Sequence, residues 1–429
     1  MKKNLITNAK ILVRTSSEYE IIDGDLFICD NIIEKICPLG QSADKTGYDT
    51  IDAKGNLVIP GLINLHTHLY MSTMRNYADD LPFDKWLFGK ILPLEETISK
   101  EFAYVGSQLG IMECIASGTT CVMDMNIFGG QTTRACSEIG MRAFVGRGLV
   151  GEDLYNDGYS RLKESLDEIE EFGSDLVKGV LSPHAIYSCS ENLYRQVQEE
   201  SVKRGWLKQT HLSESEKEVV DCINLRNASP VKYLNDIGFL DDKTIVAHCV
   251  KVSDEDVEIL SNSKTSVVTN PASNLKLENG ICPAVNMLKT GVNLCIGTDG
   301  AASNNTQNMF REMNVFNLIH CLEKDKVKYL TASKTLDACT VNPAKAISCS
   351  DKLGVIKEGA IADLSIIDLD ALNMFPNNNI VSSLSNSTLG SEVVSVMING
   401  NWVYKNKEFI TIDKEKVLAE AKILCKKFL

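Results

Sequence analysis

Residues 62–73, LINLHTHLYMST, close an apolar run with two histidines one residue apart. Successive side chains of a strand point to opposite faces, so His66 and His68 would project from one face at one end. That is half of a metal site, because a metal needs three or four ligands. The pair gains meaning only if further His, Cys or carboxylate residues end comparable strands elsewhere.

The surrounding sequence supplies that comparison. From Leu62 to Asp299 a short apolar strand, a polar loop and an amphipathic helix recur. The pattern predicts eight strands: LINLHTH (62–68), TTCVMDM (119–125), RAFVGR (142–147), KGVLSPH (178–184), WLKQTHL (206–212), TIVAHC (244–249), TSVVTN (265–270) and VNLCIGTD (292–299). Helical patterns lie between them, such as EFAYVGSQLGIMECIASG, closed by Gly118, and SRLKESLDEIEEFG, closed by Gly173. Strands alternating with helices predict an α/β fold, a (β/α)8 TIM-type barrel whose active site forms at the C-terminal strand ends. The flanks instead show short alternating strands, as in LFICDNIIEKI, ADLSIIDLD and VVSVMINGNWVYKN. Residues 1–58 and 353–429 are therefore expected to build a small β-sandwich beside a catalytic barrel of residues 59–352.

In such a barrel ligands should fall at strand C-termini, and five of the six histidines do. His66 and His68 end the first strand, His184 the fourth, His211 the fifth and His248 the sixth, while Asp299 ends the eighth. One histidine on a strand is more often a satisfied core residue. Five at one rim are hard to obtain from packing, so the array predicts a metal site. His320, in a helical pattern beyond the last strand, is read as structural.

Bulk properties narrow the partners. With 57 acidic against 44 basic residues and a formal net charge of −13, the attraction for phosphate that drives nucleic-acid binding is missing. No stretch approaches the roughly 18–20 apolar residues of a membrane span. In MKKNLITNAKILV, Asn8 and Lys10 interrupt what a signal peptide needs as an apolar core, so the segment is read as a first strand of a cytoplasmic protein. The 14 cysteines are scattered, with no CxxC spacing, and are read as reduced thiols.

PGLINLHTH, THLSE, AHC and GTDGAASNN, in this order and at barrel spacing, resemble the amidohydrolase superfamily. DLPFDKWLFGKILPLE, MRAFVGRGLV, SPHAIYSCS and NPASNLKL resemble its branch that deaminates methylthioadenosine and S-adenosylhomocysteine. The likeness spans essentially the whole chain. It implies that His66, His68, His211 and Asp299 hold one divalent metal per subunit, zinc or iron. Two-metal members usually carry a bridging carboxylated lysine late in the fourth strand, whereas Lys178 lies at the start of that strand, so a mononuclear site is expected. The metal's charge would make water nucleophilic near neutral pH, with Asp299 and His248 placed to orient or deprotonate it.

Glu214 matches the family's proton-shuttling carboxylate, which would protonate ring N1 of an adenine so that C6 accepts the nucleophile. Glu216 and Glu218 of the same SESEKE run are read as a solvated face. By the same resemblance Glu95 would accept hydrogen bonds from ribose hydroxyls, Trp86 would wall the nucleoside, His184 would lie near base and sugar, and Arg147 and Arg161 would approach the 5′-substituent. For Trp86, plain packing of a helix onto the barrel is an equal alternative. GRGLVG (146–151) matches a dinucleotide fingerprint but is not followed directly by a helix, and the HxE with PCxxC of cytidine-type deaminases is missing.

The expected substrate is thus a small nucleoside, an adenosine modified at the 5′ position (methylthioadenosine, S-adenosylhomocysteine, 5′-deoxyadenosine) or adenosine itself. Guanine, cytosine or a chlorinated triazine are the alternative substrates, and a non-catalytic scaffold is the alternative class. The oligomeric state stays open, a homo-oligomer included.

Overall fold

Runs apolar at nearly every position, rather than at alternate ones, suit strands covered by helices on the outer face and by their own ring inside. The computed structural model describes all residues except 17, 42, 153–156 and 427–429. Its middle contains β1 (Leu62–His68), β2 (Thr119–Asn126), β3 (Arg142–Leu149), β4 (Val177–Gly179 continued by Ser182–Pro183), β5 (Lys208–Leu212), β6 (Thr244–His248), β7 (Ser266–Thr269) and β8 (Asn293–Ile296 continued by Asp299–Gly300). Each expected strand is present at its expected place.

Neighbours pair in parallel from β1 through β4 and from β5 through the first piece of β8. Two seams join these halves. Leu181, between the two pieces of β4, bridges Lys208 of β5, and the His211 N–H donates to the His184 carbonyl at 3.0 Å. At the other seam Asp299 and Gly300 pair with Thr67 and His68. There Asn64 Nδ2 donates to Thr298 Oγ1 at 2.7 Å and the Thr298 N–H returns a bond to Asn64 Oδ1 at 3.1 Å. The chain is the expected α/β barrel.

Helices cover the ring. The Lys100–Ala116 helix begins at Ser99, whose hydroxyl accepts the Phe102 N–H, and lies against the 69–74 turn that follows β1. Gly106 permits the approach, since a Cβ there would stand 2.3 Å from the Tyr70 carbonyl oxygen. The glycines of GRGLVG have a similar origin. Gly146 and Gly148 lie within β3, and a Cβ on Gly146 would meet Ser182 Oγ at 2.1 Å. Gly146 thus serves strand packing, and the next helix among the described residues is Asp157–Phe172, not one that opens directly from the glycines.

Strands from the two chain ends pair into one sheet. Its order runs from Glu408–Phe409 through Asn401–Lys405, Val393–Ile398, Leu364–Ile367, Leu57–Pro60, Lys3–Arg14 and Tyr19–Cys29 to Ile32–Pro38, with Asp49–Asp52 also on Lys3–Arg14. Alternation divides its two faces. Val58, Leu364, Ile366 and Met397 join Ile6, Ile11 and Leu26 in a core of the sheet's own, while Leu57, Ile59, Val393 and Val396 belong to the core shared with the barrel helices. The last helix, Lys414–Cys425, departs from the expected sandwich: Val417 and Ala421 pack on Val105 and Met112 of the barrel. All 14 cysteines are free, most of them buried. No helix among the described residues is long and apolar enough to cross a membrane.

A buried ion pair fastens the barrel to the sheet. Arg142, at the start of β3, donates to both carboxylate oxygens of Asp363 at 2.7 and 3.0 Å, and Asp363 is only 2% exposed. Removing the cation strands the anion in a low-dielectric place, which costs roughly 3–5 kcal/mol. Arg142→Ala should therefore lower the denaturant midpoint strongly, as followed by circular dichroism.

Candidate active site

The barrel's C-terminal rim gathers the residues singled out above. His66 and His68 end β1, His211 lies next to the end of β5, His248 ends β6 and Asp299 opens the last piece of β8. His66 Nε2 is 3.6 Å and His68 Nε2 3.4 Å from Asp299 Oδ1, and His68 Nε2 is 3.3 Å from His211 Nε2. His66, His211 and His248 form a second, overlapping group, with ligand atoms in each group within 4.8 Å of one another. All five side chains are buried.

Whether a cation fits can be read from the partners. Met125 O takes the Nδ1–H of His68, His184 O that of His211 and Asn274 Oδ1 that of His248, each at 2.8 Å. Each Nε2 is then a lone pair facing inward. The lone pairs of His68 and His211 face each other at 3.3 Å, and His66 Nε2 is buried with no hydrogen bond. Such an arrangement repels itself unless a cation lies between the atoms. Donors about 2.0–2.2 Å from a shared tetrahedral metal stand about 3.3–3.6 Å apart, the spacing found here. Burial holds His211 well below its ordinary pKa, neighbouring imidazoles adding to it, and pushes His248 and His184 down to about 4. Neutral imidazole is the form that binds metal.

Asp299 is held by three donors. Ser273 and Ser303 hydroxyls reach Oδ2 at 2.6 and 2.9 Å, and the Gly300 N–H reaches Oδ1 at 2.8 Å. Burial opposes its ionisation, but the nearby His66 and the other imidazoles outweigh that and keep the carboxyl well below the usual range. Both Asp299 (φ 64°) and His248 (φ 74°) adopt left-handed backbone, which a non-glycine residue holds at a cost and which aims each side chain inward as its strand ends. Lys178 is exposed at the start of β4, away from this rim.

Glu214 follows β5 and is buried. Asn279 Nδ2 donates to its Oε1 at 3.0 Å, and its Oε2 is 3.6 Å from His248 Nε2. Burial first, then the carboxylates of Asp299 and Glu218, raise its pKa well above the ordinary value, which favours its protonated form. Glu216 is exposed as expected, but Glu218 is not: it is 4% exposed, because its carboxylate folds back under the backbone of Ser213 and Glu214. The reading of Glu218 as solvated is therefore wrong. SEKE at 215–218 fits the S-x-x-E signature of a helix start, and Ser215 does cap the Glu216–Arg226 helix. No comparable signal marks Asn274 or Asn279.

Above this floor opens a cavity of about 570 Å³. Glu95, Trp86, His184, Arg147 and Arg161 all line it. Glu95 accepts a hydrogen bond from Tyr70, a contact that sequence reasoning missed. The Trp86 indole donates to Ala302 O at 3.3 Å, so it is packed on the barrel and also borders the cavity. His184 Nδ1 is 2.9 Å from Ser188 Oγ. Arg147 lies 6.0 Å from the Phe128 ring and is ion-paired with Glu164, and Arg161 donates to Gly148 O at 3.3 Å.

Known proteins resemble this chain in sequence and fold. A 5-methylthioadenosine/S-adenosylhomocysteine deaminase of Thermoanaerobacter pseudethanolicus is 40% identical over 371 residues, covering 86% of each chain. A 5′-deoxyadenosine deaminase of Methanococcus vannielii is 37% identical over 409 residues, covering 92% of this chain and 95% of its own. The crystal structure of an adenosine deaminase from Xanthomonas campestris with bound zinc superposes with a TM-score of 0.91 at 27% identity, over 100% of this chain and 98% of that one. The model of the amidohydrolase family matches residues 57–403. By that match and these relatives, the chain belongs to the amidohydrolase family.

Proposed function

We propose that the protein is a metal-dependent aminohydrolase that converts 5′-modified adenosines to inosine analogues and ammonia. The observation that carries this reading is the convergence of His66, His68, His211 and Asp299 beside a buried Glu214 whose pKa is raised, on the floor of a cavity large enough for a nucleoside. The names of the relatives support it. Zinc is the metal proposed, in keeping with the His and carboxylate donor set.

When bound, the cation supplies the positive charge that makes water nucleophilic near neutral pH. The protein does the rest. Glu214, neutral in its buried place, gives a proton to adenine N1, which drains electron density from C6 so that the water oxygen can add there. Asp299 accepts the proton that this water releases. Asp299 passes that proton to the departing nitrogen, which leaves as ammonia, while the new C6 hydroxyl returns a proton to Glu214. His248, 3.6 Å from Glu214, offers its Nε2 lone pair to orient the water. Glu95, turned toward the cavity with Tyr70 behind it, accepts from the ribose hydroxyls. Trp86 and His184 flank the nucleoside.

At the far end Arg147 and Arg161 face the 5′-substituent. Guanidinium suits a carboxylate, so S-adenosylhomocysteine fits this end as well as the uncharged methylthioadenosine does. Ammonia release from purified protein with adenosine, 5′-deoxyadenosine, methylthioadenosine, S-adenosylhomocysteine, guanine and cytosine tests the reading. Turnover of the 5′-modified adenosines above the free bases is expected, and preference for a free base would overturn it.

Three variants probe the parts. His211→Ala should lose metal and activity together, because three ligands remain of four; full metal occupancy by elemental analysis would remove His211 from the ligand set. Glu214→Gln should keep its metal yet lose at least about 100-fold in kcat. Arg147→Met should lower kcat/KM for S-adenosylhomocysteine by roughly 10-fold, the low end for a bond to a charged group, since Glu164 already neutralises part of the guanidinium's charge. Methylthioadenosine should change only a few-fold, and equal losses for both substrates would show that Arg147 positions the nucleoside instead.

A further inference from the structure

We infer that Glu218 is a positioning residue that holds Glu214 in its working geometry. The inference rests on the role of Glu214 proposed above. Glu218 sits in the first turn of the Glu216–Arg226 helix, where Ser215 Oγ accepts its N–H at 3.2 Å. A glutamate at this place of a capping box ordinarily reaches back to the N–H of the capping serine. Here it reaches further: Oε1 accepts the Ser213 N–H at 2.9 Å and Oε2 the Glu214 N–H at 2.8 Å.

Ser213 is held from its other side as well. Its carbonyl accepts the N–H groups of Val250 and Lys251, at 3.0 and 2.8 Å, from the turn beyond β6. Its φ of 50° is left-handed, a conformation a serine keeps only when its surroundings over-determine it. Two carboxylate bonds below and two backbone bonds beside it do so. This turn sets the direction in which Glu214 leaves the backbone, and Asn279 then fixes the carboxyl end. Glu218 touches neither the cavity nor the proposed metal ligands, so any effect it has on chemistry passes through Glu214.

Glutamine at 218 keeps the size but turns an N–H₂ group toward one of the two backbone donors, so one bond is lost and the turn is pushed away. Misplacement of a reacting group by about 1 Å can cost about 100-fold in rate. Glu218→Gln should lower kcat for methylthioadenosine by about 10- to 100-fold while leaving KM and metal content near those of the parent. Glu218→Asp retains the charge but falls a methylene short of bridging both donors; it should lose kcat similarly, and it carries the test if the glutamine variant folds poorly.

The deciding measurement is the double-mutant cycle with Glu214→Gln. If Glu218 acts through Glu214, adding Glu218→Gln to Glu214→Gln should change kcat less than about 3-fold. An additive loss, or loss of metal and kcat together, overturns the inference. Should Glu214→Gln alone leave kcat unchanged, the proton-shuttle reading fails first, an outcome the single variants separate from failure of the Glu218 role.

Discussion

Four imidazoles and a carboxylate cannot be packed at the end of a hydrophobic barrel without something to satisfy them. His66, His68, His211, His248 and Asp299 are all buried, and the lone pairs of His68 and His211 face each other at 3.3 Å. In a low-dielectric site, unpaired donors and acceptors of this kind cost more than ordinary packing returns. A divalent cation removes the difficulty in one step, and much of the surrounding structure can be understood as holding the donors ready for it. Carbonyl and amide oxygens fix the rings of His68, His211 and His248 from behind, and two serines fix Asp299.

The same demand explains where the backbone is unusual. Ser213, His248, Cys249 and Asp299 all have positive φ, and all lie just where a barrel strand gives way to its loop. A strand continuing in extended geometry would alternate its side chains inward and outward. Left-handed residues at the rim re-aim the chain so that functional side chains converge on one point. Strain of this kind persists because bonds from neighbouring loops hold it, such as those from Glu218, Val250 and Lys251 to the turn of Ser213 and Glu214.

The cavity lining combines acidic, basic and aromatic side chains. The lining includes the imidazoles, Asp299 and Glu214 together with two cationic residues, Arg147 and Arg161. The aromatic pair Phe88 and Tyr187, ring centroids 6.2 Å apart, also lines the cavity.

Much of this was legible in the amino-acid order. Parallel barrel strands are buried on both faces, so they appear as short continuous apolar runs, and each of the eight runs found in this way is a strand. A histidine is costly inside such a run, so histidines collect at strand ends, and their positions in the sequence mark the rim before any geometry is known. The fate of Glu218 could not be read in the same way. In sequence it is one acidic residue among several in SESEKE, and only the fold of the turn shows that its carboxylate has two buried backbone donors to accept while Glu216 has solvent. The partners of the rings, Asn274 and the carbonyls of Met125 and His184, and Asn279, which holds Glu214, were equally hidden, since a backbone oxygen has no sequence signature and a lone asparagine has no period. Local patterning determined which residues form strands and which lie at their ends. Tertiary structure alone decided which lone pairs face one another and which carboxyls are buried beside them, because those depend on distances across the barrel between residues remote in the chain.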